Sequence, residues 1–211
     1  MDFGFSEENE AFRAGIKAFI AENVSPAIIQ EMQDGAHGAG IGPLTRDLIL
    51  KIGERGWIGM SWPKEYGGRE ADIIDQYIFE EELARARVPL NLGNFIEQAP
   101  AIMKAGTEAQ KKYFLPRLVR GEVTFALGYS EPSGGTDILG LTTRASHDDD
   151  CWTVNGQKLF TTFAGDADAI LVLCRTDPIE NEKRARGLSL VLTPRQQSGV
   201  EVRRLQLMGM R

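Results

Sequence analysis

A chain of 211 residues, 42 % hydrophobic and 26 % charged, has enough apolar material for one large domain or two small ones. Its net charge of −6 argues against non-specific nucleic-acid binding, which depends on lysine and arginine neutralising phosphates. No run of about 18 apolar residues occurs, and the opening MDFGFSEENE has no apolar leader core, so the expectation is a cytoplasmic protein with no membrane span.

Up to residue 122 the apolar residues recur at helical spacing. Phe12, Ile16, Phe19 and Ile20 share one face, Ser6 is placed as N-cap, and Glu7 and Glu8 sit in the first turn, where the helix dipole favours negative charge. Pro26 permits only a short continuation or a new start. LTRDLILKIGERG predicts a helix over 44–56 stopped by Gly56, and a polar loop, WPKEYGGREA, follows. Ile73, Ile74, Tyr77, Ile78 and Leu83 predict a mostly buried helix. LGNFIEQAPAIMKAG and EAQKKYFLPRLVRG complete a helical array, with Gly106 and Gly121 as stops.

After residue 122 the period falls to two. VTFALGY, GLTTRAS, CWTVNGQKLFTTF, DAILVLCRT, GLSLVLTP and GVEVRRLQL are rich in Val, Thr and Leu and are bounded by turn residues. Asn155-Gly156 predicts a type I′ hairpin turn, which needs positive φ at both central residues. The fold class expected is therefore α+β: an all-α domain over 1–122, then an antiparallel β-barrel or sandwich over 123–211. The sequence stops at LMGMR inside this β-region, so the β-domain is expected to be truncated or completed by a partner.

Cys151 and Cys174 are expected to be free thiols. His37 and His147 have no clustered partners, so neither a zinc site nor a Ser-His-Asp triad is expected, which leaves an organic cofactor or carboxylates. GAHGAGIG, 35–42, follows a helical stretch rather than a strand and reads as a connector, not a dinucleotide fingerprint. The run of three aspartates at 148–150 reads as a solvated hairpin tip. GYSEPSGGTD, 128–137, is more than a turn needs. Gly134 and Gly135 leave backbone amides uncovered, and Ser130, Ser133 and Thr136 add hydroxyls, so the stretch suits a phosphate or the polar edge of a heterocycle as well as a capped Gly/Pro turn. In KLFTTF, Phe160 and Thr162 alternate on an expected strand, where a ring and a hydroxyl on one face suit either a flat heterocycle or an ordinary half-buried strand. Glu131, beside a proline in a turn, reads as structural before it reads as a general base.

Taken together, these stretches resemble the acyl-CoA dehydrogenase family along nearly the whole chain. FSEENEAFRAGIKAFIAENVSP, GERGWIGMSWPKEYGG, FEEELAR, AGTEAQKKYFLPRLVRGE, ALGYSEPSGGTD and WTVNGQKLFTTFAGDADAILVLCRT occur in the family's order. The resemblance implies α,β-dehydrogenation of an acyl-CoA thioester with hydride transfer to N5 of FAD, an electron-transfer acceptor and a homo- or hetero-oligomer. It implies flavin-facing roles for Leu127, Tyr129, Ser130, Gly135, Thr136, Phe160 and Thr162. Ser130 would bond the pyrimidine edge. Thr136 would lie near the flavin phosphate and the CoA ester, Phe160 would pack on the ring system, and Thr162 would reach toward N5. Ser130, Thr136 and Phe160 depart from the family's usual Thr, Ser and Trp. The family's catalytic carboxylate lies in a C-terminal helical domain, so the base is expected beyond Arg211 and the chain is expected to be inactive alone. A non-catalytic flavin- or acyl-CoA-binding subunit, and a monooxygenase or nitroalkane oxidase on the same fold, are the alternatives. Acyl-chain length and branching stay open, a sterol side chain included.

Overall fold

Helix α1 (Glu7–Asn23) begins at a capping box: Ser6 Oγ accepts from Asn9 N at 3.1 Å, while the Asn9 side chain accepts from Ser6 N. The structure is a computed structural model that describes residues 4–35, 41–88, 90, 97–148, 151–178 and 184–205. They fall into two compact units that meet in sequence between Val123 and Thr124.

In the first unit Pro26, at the first position of α2 (Pro26–Asp34), gives up an N–H that no helical carbonyl could have accepted. After α3 (Pro43–Glu54), Gly56 turns the chain at φ 66°. The turn delivers Trp57 into the core, where its ring meets Phe19 edge-on at 5.0 Å, Phe12 at 6.0 Å and Phe79 at 5.6 Å. Ile16, Ile49, Ile52, Ile58, Ile78 and Leu83 fill the space around it.

Helix α4 (Ile73–Arg85) departs from expectation. It buries Ile78, Phe79 and Leu83 but leaves Ile73 68 % and Tyr77 52 % exposed. Its first turns project beyond the core, where Tyr77 stacks on Phe5 at 6.3 Å and donates to Glu81 at 3.2 Å. Helices α5 (Ala99–Ala105) and α6 (Glu108–Val119) follow, the second opened by a Thr107–Gln110 capping box. Gly106 ends α5 in an extended conformation, whereas Gly121 turns at φ 70°. Most of the glycine-rich connector, 36–40, and the stretch 91–96 lie outside the described residues. Among the described residues, no helix is long and apolar enough to cross a membrane.

The second unit is a mixed sheet, not an antiparallel one. Strand β4 (Ala169–Arg175) is its centre, buried at nearly every position. It pairs parallel with β1 (Phe125–Gly128) and antiparallel with β5 (Leu188–Pro194). Strands β2 (Arg144–Asp148) and β3 (Cys151–Asn155) form an antiparallel hairpin joined to β4 through the single parallel pair Arg144–Arg175. Parallel neighbours cannot be joined by a tight turn, and β1 reaches β4 through the long connection that contains the hairpin.

Two further expectations fail here. Asn155-Gly156 is not a hairpin turn, because Asn155 lacks positive φ and Gly156 is nearly extended at φ 158°. The hairpin reverses one step earlier, beyond Asp148, with Asp149 and Asp150 outside the described residues. Gly156 serves close approach instead, since a Cβ there would stand 2.3 Å from Thr143 Oγ1. The predicted strand over 199–207 forms no ladder through Leu205, and its last residues lie outside the described residues. Cys174 is buried and Cys151 exposed, and both are free thiols.

Candidate functional site

Strand β1 carries Leu127, half-buried and in register with Leu171 of β4. Past Gly128 the chain leaves the sheet through half-buried Tyr129 and Ser130 and makes a tight turn. Glu131 N donates to Gly134 O, and Gly134 N donates to Glu131 O, both at 3.0 Å. Pro132 fixes φ inside that turn. The chain then folds back on itself: a Cβ at Gly135 would stand 3.0 Å from Ser130 Oγ, whereas a Cβ at Gly134 would meet open space. Residues 132–138 are exposed, Thr136 among them. The loop is held at its far side by Asp137, which pairs with Arg184 at 2.6 Å. That guanidinium's hydrogen bond is the main reason the Asp137 carboxyl sits below its ordinary range.

The second strip of the site, 156–161, is not a strand, which overturns the alternation expected for KLFTTF. Phe160 has φ 55° and Phe163 φ 58°, and left-handed residues break an extended ribbon. One backbone bond replaces a ladder: Leu159 N donates to Ser130 O at 2.9 Å. Phe160 is left 64 % exposed, and Thr162 is exposed in the turn that follows. A bulky residue in the left-handed region is uncommon and costs about 1–3 kcal/mol, so it persists where its surroundings over-determine it.

Lys158, two residues before Phe160, bonds the buried Glu131. Glu131 is 5 % exposed, and its carboxylate accepts from Thr142 N at 2.6 Å, Thr142 Oγ1 at 2.7 Å, Thr143 N at 2.9 Å and Lys158 Nζ at 2.9 Å. Lys158 Nζ also donates to Tyr129 O at 3.0 Å. Burial by itself would raise the carboxyl's pKa, but the donors outweigh it and hold the group ionised, well below the usual carboxylate range. A carboxylate with its lone pairs so engaged is a poor proton acceptor, which agrees with the structural reading of Glu131.

The structure thus brings Ser130 and Gly135 into contact and ties the strip bearing Phe160 to both Tyr129 and Ser130. Leu127 enters through the strand below. Thr136 and Thr162 join through their chain neighbours, Gly135 and Phe160. Sequence reasoning missed Lys158, Thr142 and Thr143. Lys158 lies 27 residues from Glu131, and no periodicity links residues so far apart; the one available signal was a buried-looking carboxylate in need of a cation. In sum the site offers an uncovered ring, a half-buried hydroxyl and a glycine pair open to solvent. That is what a flat heterocycle with a polar edge requires.

The family that combines such a helical unit with such a sheet is identified by comparison. The family model described as "Acyl-CoA dehydrogenase, N-terminal domain" matches residues 6–122, and that described as "Acyl-CoA dehydrogenase, middle domain" matches 126–211. The chain belongs to the acyl-CoA dehydrogenase family. It is 40 % identical to Acyl-CoA dehydrogenase FadE29 of Mycobacterium tuberculosis, over 94 % of this chain and 50 % of that protein. Among solved structures it is similar to the Tcur3481-Tcur3483 steroid ACAD, with a TM-score of 0.79 and 38 % identity, over 94 % of this chain and 50 % of that one. The ChsE4-ChsE5 complex from Mycobacterium tuberculosis matches with a TM-score of 0.79 and 35 % identity, over 93 % of this chain and 49 % of that one. The chain therefore spans about half the length of the curated relatives it matches.

Proposed function

We propose that this chain supplies the flavin-facing part of an FAD-dependent acyl-CoA dehydrogenase. The observation that carries the reading is Phe160: a large side chain, mostly exposed, held in a strained backbone next to Leu159, whose amide is bonded to Ser130 O. A side chain so exposed gains little from burial within the unit, and it is ready to cover one face of a flat cofactor. The residues fit a flavin. Ser130 offers a hydroxyl to a polar ring edge. Gly134 and Gly135 present backbone without side chains, Thr136 borders them, and Phe160 supplies the aromatic surface. Leu127 and Tyr129 lie along the same segment, and Thr162 stands two residues past the ring.

Bound FAD supplies the electron-accepting chemistry for α,β-dehydrogenation of an acyl-CoA thioester. The chain's residues hold and orient the two reactants. Thr136 is assigned to the region where the flavin phosphate and the CoA ester meet. Glu131 is not the base, because four hydrogen bonds occupy it. The base is assigned to residues beyond Arg211, in the half of its relatives that this chain does not span.

The substrate class we favour is a CoA thioester of a steroid side chain, because a similar solved structure is described as a steroid ACAD. That structure and the ChsE4-ChsE5 complex are each described by two gene products, which favours a hetero-oligomer for the working enzyme. An electron-transfer acceptor would reoxidise the flavin.

The test is an anaerobic titration of the FAD-reconstituted 211-residue chain, then of the protein its gene encodes with any co-purifying subunit. Straight-chain and steroid side-chain acyl-CoA thioesters are added while flavin absorbance is followed. The expected result is no bleaching with the 211 residues alone, and bleaching by steroid thioesters in the complete assembly. Bleaching of the 211-residue chain would overturn the assignment of the base. Inertness of the complete flavoprotein toward every thioester would overturn the dehydrogenase reading.

A further inference from the structure

We propose that the buried Glu131–Lys158 pair is a positioning device for the flavin site, and that it acts on the ring of Phe160 and the hydroxyl of Ser130 without touching the cofactor. The inference rests on the flavin reading above and goes beyond it by assigning roles to residues that the reading leaves unused.

The geometry is specific. One carboxylate joins three segments far apart in sequence: the turn at 131–134, the amides of Thr142 and Thr143, and Lys158. Lys158 then reaches back to Tyr129 O, one residue before Ser130, and the next amide, Leu159 N, donates to Ser130 O. The strip that presents Phe160 is thus fastened to the strip that presents Ser130 at three consecutive residues, 129, 130 and 131. Both side chains are nearly dry, Glu131 with 2 % and Lys158 with 10 % of its side chain exposed. A dry, fully bonded pair resists movement more than a solvated one, because any displacement leaves a charge unpaired. Phe160 needs such a fastening: its backbone is in a region that a free segment would leave.

A pair that served general stability alone would affect melting and nothing else. A positioning pair must also alter the cofactor's environment. The experiment uses the full chain, and its assembly if one is found, with Lys158→Met, Lys158→Arg and Glu131→Gln variants. FAD affinity is measured by quenching of flavin fluorescence, the bound-flavin absorbance band is recorded, and hydrogen exchange of the Leu159 amide is followed without cofactor. The expected result for Lys158→Met is about a 10-fold or greater loss of FAD affinity, a shifted absorbance band and faster Leu159 exchange, as when a supporting shell behind a bound group is removed. Lys158→Arg, which restores a cation to the carboxylate, should recover part of both affinity and band position. If Glu131→Gln fails to fold, the two Lys158 variants still decide the matter.

Unchanged affinity and spectrum in a folded Lys158→Met variant would overturn this inference and leave the flavin reading standing. Absence of FAD binding by the unmodified protein would overturn the flavin reading, and the inference with it.

Discussion

Phe160 and Gly53 occupy opposite surroundings, one exposed in a left-handed backbone and one closed in by a neighbouring helix end. Phe160 has φ 55° and keeps 64 % of its surface in water, so its conformation is costly and its burial contributes little. Phe160→Gly removes the backbone strain but adds freedom to the unfolded chain, and the two effects nearly cancel. The expected outcome is a change in unfolding free energy within about 0.5 kcal/mol, measured by urea denaturation without cofactor, together with a large loss of FAD affinity. Equal loss of stability and affinity would mark Phe160 as a structural residue. Gly53 in α3 is the opposite case. A Cβ there would stand 2.4 Å from the backbone carbonyl of Arg120, just past the end of α6. Gly53→Ala must push those backbones apart and should cost about 1–3 kcal/mol, read as a lowered urea midpoint. Neither residue is exceptional as a letter in the sequence. Phe160 was visible as a candidate through its aromatic ring, but its left-handed backbone was not, because β-rich flanking residues predict an extended strand.

At the scale of elements, α1 and α4 are joined by charge as well as by the apolar seam of Ile16, Phe19, Ile78 and Phe79. Arg13, 7 % exposed, donates from Nη1 to both Glu81 and Glu82 of α4. Glu82 is itself 4 % exposed, with Lys17 at 3.9 Å and Arg85 at 3.8 Å. Removing one partner of a buried pair strands the other, so Arg13→Met should cost about 3 kcal/mol, the low end of the usual range, since Lys17 and Arg85 remain near Glu82. The pH dependence follows from Glu81, whose pKa is lowered from 4.5 to about 2, mainly by its hydrogen bond from Arg13 and then by that from Arg85. A depressed carboxyl stabilises the fold above its unfolded value and loses that contribution as pH falls through the folded value. The helical unit should therefore lose stability between about pH 4.5 and pH 2, and Arg13→Met should flatten that dependence, as followed by far-ultraviolet circular dichroism. An unchanged acid limb in the variant would show that Arg13 does not set the Glu81 titration. The apolar spacing of α1 announced its buried face, and Ser6 its start. The partner of Arg13 was not legible, because Glu81 and Glu82 lie 68 and 69 residues away.

At the scale of the whole molecule, the order of elements was the most legible property, and the pairing of strands the least. Helical spacing up to residue 122 and strand-like alternation after it rest on local chemistry: which side chains must leave water, and where caps and turns can form. The same holds for the family resemblance, since its motifs are contiguous stretches such as GYSEPSGGTD. The dehydrogenation test above belongs to this scale, because this chain spans about half the length of its curated relatives. By itself the sequence determined an acidic, helices-then-strands chain whose contiguous motifs, the glycine-rich loop at 128–137 among them, carry the family resemblance. Only the tertiary structure decided that β1 and β4 run parallel, that Asn155-Gly156 is no turn, and that the Phe160 strip is fastened by Lys158 and Glu131 rather than by a ladder. The physical reason is range: each of these outcomes depends on groups tens of residues apart competing for the same amide, carbonyl or charge, and no local window of sequence contains both competitors.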